Sequence, residues 1–303
     1  MALKHIKLKI QSVKKTSTVT RAMEAVSAVK MRKAQERALG GRAYAAAALT
    51  ILERISGSGE LKQQPLMQSR AGKTAIVLIT SDKGLAGALN ANVIRAAEQE
   101  IARSNLAKDE VVIIAIGRRG GDYFLNRGYI VRQRHENISD DISESDMHMI
   151  TDKLLAMHAE GEIGSALIVY MNFLSTFEQK AVVRQIIPIT SGLIHEMVAG
   201  IVPAKGKYAG IGSGETHPSV YTIEPDAESI IQILMPRLLN IAVYHGLLEA
   251  KASEHSARMV AMKSATDKAK EMAKSLTRTF NKVRQAAITR EVSEITSGIE
   301  AMK

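Results

Sequence analysis

The stretch HSARMVAMKSATDKAKEMAKSLTRTFNKVRQAAITREVSEITSGIEA, residues 255–301, runs almost to the C-terminus without a proline. Met259, Met262, Thr266, Ala269, Ala273, Leu276, Phe280, Val283 and Ala287 recur in alternating steps of three and four. An apolar repeat of ~3.5 residues is the seam of a coiled coil. Leu and Ile usually fill such a seam, but here it is mostly Ala, Thr and Met. Small residues let backbones approach closely yet bury little area, so this helix requires a partner.

The other end of the chain supplies a matching one. Residues 2–56 contain no proline, and glycine only at Gly40 and Gly41, where a kink or register change is expected. Leu3, Ile6, Ile10, Val13, Ser17, Thr20, Met23, Val26 and Val29 form a second narrow seam. Ser56-Gly-Ser-Gly59 ends it. Two long helices, each short of apolar area and separated by a compact segment, pair most simply with each other in antiparallel fashion. Pairing of each with a second chain is the alternative.

Between them the period changes. Ala75–Ser81, Glu110–Gly117 and Ala166–Phe173 are short, β-branched and apolar almost throughout, as strands buried on both faces are. Helical stretches at Asn90–Ser104 and Glu144–Ala159 alternate with them, and Ala181–Ile189 suits an edge strand. The expected fold is α/β: a long antiparallel coiled coil of the terminal helices plus a central, doubly wound, Rossmann-like domain. The expected boundaries are 1–58 for the first helix, 59–218 for the central domain with the glycine-rich loop His195–Pro218, and 219–303 for the second helix.

The formal charge of +10 is unevenly spread. Residues 1–58 carry twelve Lys/Arg against three acids and 227–303 twelve against eight, while the middle carries seventeen against twenty. The basic ends point to acidic partners. With no cysteine there is no disulfide, thiolate metal site or thiol nucleophile. MALKHIKLKI lacks the apolar core of a signal peptide, and no stretch reads as a membrane span.

Phosphate-binding motifs fail on inspection. Gly72-Lys73-Thr74 has Met67 where the first glycine of a phosphate loop belongs, and it precedes a strand. Gly84-Leu-Ala-Gly87 follows the first strand, but its spacing is wrong for a dinucleotide turn, and Gly117-Arg-Arg-Gly-Gly closes the second strand without an acid. His135, His148, His158 and His245 show no metal spacing. Asp140, Asp141, Glu144 and Asp146 read as a solvated loop leading into a helix. No catalytic constellation, metal site or cofactor site emerges.

Several motifs resemble a known family, in order and over nearly the whole chain. Ile288-Thr-Arg-Glu-Val-Ser-Glu-Ile-Thr-Ser-Gly298 resembles the signature I-T-x-E-x-x-E-I-x-x-G of the gamma subunit of rotary F-type ATP synthases. Ala252–Met262, Ile10–Lys14, Thr20–Met23 and Lys30–Gln35 are similar to its helices, and Ser81–Asn90 to its first strand-to-helix turn. Asn172-Phe173, Ser175, Gln179, Tyr221 and Glu224-Pro-Asp226 extend the likeness. Lys83, Ala86 and Ala88 depart conservatively from the family turn, which usually has Arg, Cys and Gly there; Ile223 replaces a frequent aromatic, and 195–218 is unusually glycine-rich.

The resemblance implies a non-catalytic rotor shaft without a cofactor. The terminal helices would turn inside a hexamer of three alpha and three beta subunits. The central domain and foot would sit on the ring of c subunits beside epsilon, driven by proton or sodium flow. It implies rotor–stator contacts at Met23, Arg258, Lys282, Arg284, Gln285, Thr289 and Glu291, and foot contacts at Tyr221 and Glu224. A bacterial type, peripheral on the cytoplasmic face of the plasma membrane, is expected. A basic coiled-coil protein that binds nucleic acid is the alternative, although aromatics make up only 4% of the chain.

Overall fold

The structure, a computed structural model, describes residues 2–40, 64–68, 70–189 and 227–302. Gly41, the Ser56–Gly59 punctuation, the His195–Pro218 loop, Tyr221 and Glu224 lie outside the described residues. The chain divides into a helical unit, Met1–Ala28 with Arg258–Lys303, and a sheet unit, Val29–Ala257. Two helices contribute to both: α1 (Ala2–Gly40) and α5 (Ala227–Ala301).

The sheet unit is a five-stranded mixed sheet ordered β3-β2-β1-β4-β5. β1 (Lys73–Ile79), β2 (Val111–Ile116), β3 (Ile130–His135) and β4 (Ile163–Phe173) are parallel, and β5 (Gln179–Ile187) closes one edge antiparallel to β4. β2 is buried at every residue, as its unbroken apolar run requires. Side-chain alternation sorts the core into two layers. Ile76, Leu78, Ile113 and Ala115 face α2 (Leu89–Arg103) and α3 (Arg118–Asn126). Val77, Ile79, Ile114 and Ile168 face α4 (Glu144–Ala159) and the Val243–Ala250 stretch of α5. α4 starts at a capping box: the Asp146 amide donates to Ser143 Oγ at 3.1 Å, and the Ser143 amide donates to Asp146 Oδ2 at 3.0 Å.

Two elements were not anticipated. β3 is an edge strand reading IVRQRH, whose Arg132 and Arg134 stay outward, so its apolar pattern is thin. α3 contains Gly120-Gly121, poor helix formers alone. Packing requires the first of them: a Cβ on Gly120 would come within 2.6 Å of Leu78 Cδ2 and 2.9 Å of Thr80 Oγ1. Close approach of helix to sheet overrides local propensity here.

An 18-residue apolar window of α5, mean hydropathy 1.3, has the length and composition of a membrane span. Its Ile231, Met235, Leu238, Leu239, Val243 and Leu247 are nevertheless core residues of the sheet unit. Those six side chains serve the core of the sheet unit.

In the helical unit, all nine expected seam positions of α5 are wholly or partly buried. Thr20 and Thr266 share a buried hydrogen bond of 2.7 Å. Carried along two antiparallel helices of equal rise, that pairing sets Val13 opposite Ala273, Ile10 opposite Leu276, Ile6 opposite Phe280 and Leu3 opposite Val283. Both seams therefore coincide over this length. The expected seam of α1 is corrected beyond Met23. Val26 and Val29 are 55% and 57% exposed, and the buried line instead passes through Ser27, Met31 and Ala34. Steps of three and four from Thr20 lead there, whereas apolarity alone selected the wrong valines.

Candidate functional site

The sheet unit has the crevice where doubly wound folds bind ligands. Strand order reverses between β1 and β4, and ligands settle outside the carboxyl ends of strands at such a point. Here the chain itself occupies the place. Leu247, Ala250, Lys251 and Glu254 of α5 close over Ile79, Thr80, Ser81 and Gly117, leaving a void of about 10 Å³, room for roughly one water.

The turn after β1 is bonded internally. The Ser81 amide donates to Asn90 Oδ1 at 2.9 Å, Asn90 Nδ2 donates to Ser81 Oγ at 2.7 Å, and Ser81 Oγ donates to the Lys83 carbonyl at 2.6 Å. Asp82 accepts from the amides of Arg118, at the start of α3, and Asn137, each at 3.0 Å. A carboxylate of the protein thus sits where a phosphate would. Gly117, at φ +92°, could carry no side chain: its Cβ would lie 2.0 Å from the Thr80 carbonyl oxygen. The Ser81–Asn90 motif is a splice holding strand, helix and neighbouring loop.

The loop leading into α4 is an ionic tie, contrary to its reading as a merely solvated acidic run. Asp140 receives Lys30 Nζ at 2.6 Å and His255 Nε2 at 2.9 Å, with Lys251 Nζ at 3.8 Å. Arg37 donates to the Asp140 carbonyl and pairs with Asp141 at 2.8 Å. Burial would raise the Asp140 carboxyl. The Lys30 hydrogen bond, then His255 and Lys251, outweigh it and hold the group at about 2. Both long helices are thereby fastened to one loop. The partners lie far apart in sequence, so no local signal announced them. His158 is structural: its ring nitrogens lie 3.1 Å from the Ile163 carbonyl and 3.2 Å from that of Pro65.

The residues expected at rotor–stator contacts gather in the helical unit. Met23 and Arg258 are half-buried, and Lys282, Arg284, Gln285, Thr289 and Glu291 are exposed near the far end of α5. Tyr221 and Glu224 lie outside the described residues. From Ile288 to Met302 every residue is exposed. Ile288, Val292, Ile295, Ile299 and Met302 repeat at steps of four and three and are 51–90% exposed. Among the described residues nothing covers this second apolar stripe. The helical unit also carries sixteen Lys/Arg against six Asp/Glu, a net +10 equal to that of the whole chain, so the sheet unit is neutral.

The described residues thus form a helix pair with a bare apolar end and an α/β unit whose switch-point crevice is filled by its own α5. Comparison with known proteins gives the family. The family model described as ATP synthase matches residues 2–302. The ATP synthase gamma chain of Heliobacterium modesticaldum is 36% identical over 303 residues, covering 99% of each chain. That of Staphylococcus saprophyticus is 33% identical, covering all of this chain and 99% of its own. The chain belongs to the ATP synthase gamma-chain family. Among solved structures, a chain of the Euglena gracilis mitochondrial ATP synthase (OSCP/F1/c-ring) superposes with TM-score 0.65 at 17% identity, covering 99% of this chain and 94% of that one. A chain of the Tetrahymena thermophila mitochondrial ATP synthase central stalk and c-ring gives 0.58 at 22% identity, covering 82% and 99%. These two likenesses concern the fold.

Proposed function

We propose that this chain is the turning central shaft of an F-type ATP synthase. The helical unit rotates inside a hexamer of alpha and beta subunits, while the sheet unit and foot seat on the c-ring beside epsilon. Proton or sodium flow drives the ring, and the asymmetric shaft biases each catalytic site through its conformations in turn, also setting the rate of ATP hydrolysis. That is coupling between sites through differential contacts, and the shaft itself needs no catalytic residue or cofactor. The complex would place it peripherally on the cytoplasmic face of a bacterial plasma membrane.

The observation that carries this reading is the solitary end of α5. Five apolar side chains stand uncovered on one helix face, each worth about 1.5–3 kcal/mol if fully buried, so a surrounding sleeve is favoured. Lys282 and Arg284 lie just before the stripe and Thr289 and Glu291 between its members, and we assign these four to contacts with the surrounding subunits. The cationic surface of the helical unit suits acidic loops. It does not suit nucleic-acid stacking, because Phe280 is the unit's one aromatic and lies half-buried in the seam.

Mixing the purified chain with alpha and beta subunits tests the proposal. A defined complex and a change in ATP hydrolysis are expected. Absence of both refutes it. Truncation after Val283 removes the bare stripe and is expected to weaken coupling more than assembly; loss of assembly altogether would count against the assignment of the tip.

A further inference from the structure

One buried polar cluster is used by nothing above. Glu249 of α5 is 7% exposed and faces the sheet beside Tyr170 and Asn172 of β4 and Arg184 of β5. The Asn172 amide, turned to donate, reaches both carboxylate oxygens, Oε1 at 3.0 Å. His245, one turn earlier on α5, places Nε2 3.6 Å from Oε1. The Tyr170 hydroxyl is buried with no hydrogen bond of normal geometry. Helix and sheet are close here: a Cβ on Gly246 would come within 2.9 Å of Ile168 Cδ1, and Ser253 Oγ donates to the Met171 carbonyl at 2.9 Å. Among the described residues, the titratable or charged groups facing Glu249 are His245 from its own helix, Tyr170 from β4 and Arg184 from β5.

We propose that Glu249 with His245, Tyr170, Asn172 and Arg184 is a single-proton latch, whose protonation sets how tightly α5 grips the central sheet. A protonated Glu249 carries no charge, and its O–H is a donor for the buried Tyr170 hydroxyl oxygen. An ionised Glu249 must keep a charge between helix and sheet, where the Asn172 amide and the Tyr170 hydroxyl do not make up for the lost water, which costs free energy unless the interface opens. Burial moves the carboxyl up to about 7, against the smaller opposing effects of the Arg184 charge and the nearby Tyr170 hydroxyl. A group raised in the folded state stabilises fully below its unfolded value, and that stability is lost as pH rises through about 7. The latch loosens on the alkaline side. It goes beyond the rotor reading and does not depend on it, since all five residues lie within the sheet unit.

Hydrogen exchange of residues 243–257 in the full chain, corrected for intrinsic rates, tests it. Between about pH 5.5 and 8.5 the local opening constant is expected to rise roughly thirtyfold, the span for a carboxyl moved from 4.5 to about 7. Glu249→Gln is expected to abolish that rise and to open less than the parent at the alkaline end. A flat profile in the parent, or an unchanged slope in the variant, overturns the proposal. So does a slope that survives Glu249→Gln but vanishes in His245→Asn, because the histidine would then hold the proton. If Glu249→Gln fails to fold, infrared spectroscopy of the parent decides. A protonated carboxylic acid band persisting at about pH 6 supports the latch, and its absence overturns it.

Discussion

Replacing Asp140 by Asn keeps the shape and removes the charge at the tie that holds both long helices. Lys30, Lys251 and His255 would then face one another with no carboxylate among them, while Arg37 keeps Asp141 and the 140 carbonyl. The native carboxyl lies at about 2 against an ordinary 3.8, which corresponds to roughly 2.5 kcal/mol of interaction. About a third of the side chain is exposed, so solvent screening reduces the expected loss to about 1–2 kcal/mol at neutral pH. A depressed carboxyl stabilises above its unfolded value and loses that contribution as pH falls through the folded one. The difference between parent and Asp140→Asn should therefore persist from neutrality down to about pH 4 and shrink between there and about pH 2. Urea unfolding at a series of pH values, followed by circular dichroism, measures it. A neutral-pH difference within about 0.3 kcal/mol, or one that stays constant into the acid range, would refute the ionic account.

Other perturbations address the seam, the helix–sheet contact and the splice. Thr20→Val and Thr266→Val, singly and together, should give a coupling of about 1 kcal/mol in a double-mutant thermal cycle, with the double variant near the parent because two valines suit a buried seam. Gly246→Ala should be close to neutral, since relief of a mid-helix glycine offsets contact with the mobile Ile168 terminus. Gly246→Leu at the same position should lose about 1–3 kcal/mol by overpacking, seen as a lower urea midpoint; equal effects of the two would contradict the packing. Asp82→Ala removes the acceptor of two backbone amides and should cost about 1–2 kcal/mol, with faster exchange at Arg118 and Asn137. Unchanged exchange at both amides would remove Asp82 from that role.

The sequence by itself determined what depends on local period. The α5 seam from Met259 to Ala287, the buried runs of β1, β2 and β4, and α4 at Glu144–Ala159 all follow from spacing, because facing the core and being apolar coincide there. The tip of α5, bare from Ile288 onward, was likewise legible as the segment carrying the family signature. Tertiary structure decided what depends on approach between distant segments. It moved the α1 seam from Val26 and Val29 to Ser27 and Met31, since the partner helix selects a face geometrically and accepts a serine on it. It made a helix of a Gly-Gly segment by bringing it against Leu78 and Thr80. It turned Asp140 from a loop acid into a hub, and buried Glu249 among groups as far as 79 positions away in the chain. Electrostatic environment is a property of three-dimensional neighbours, so a charged letter in the sequence carries no mark of whether water or protein will surround it.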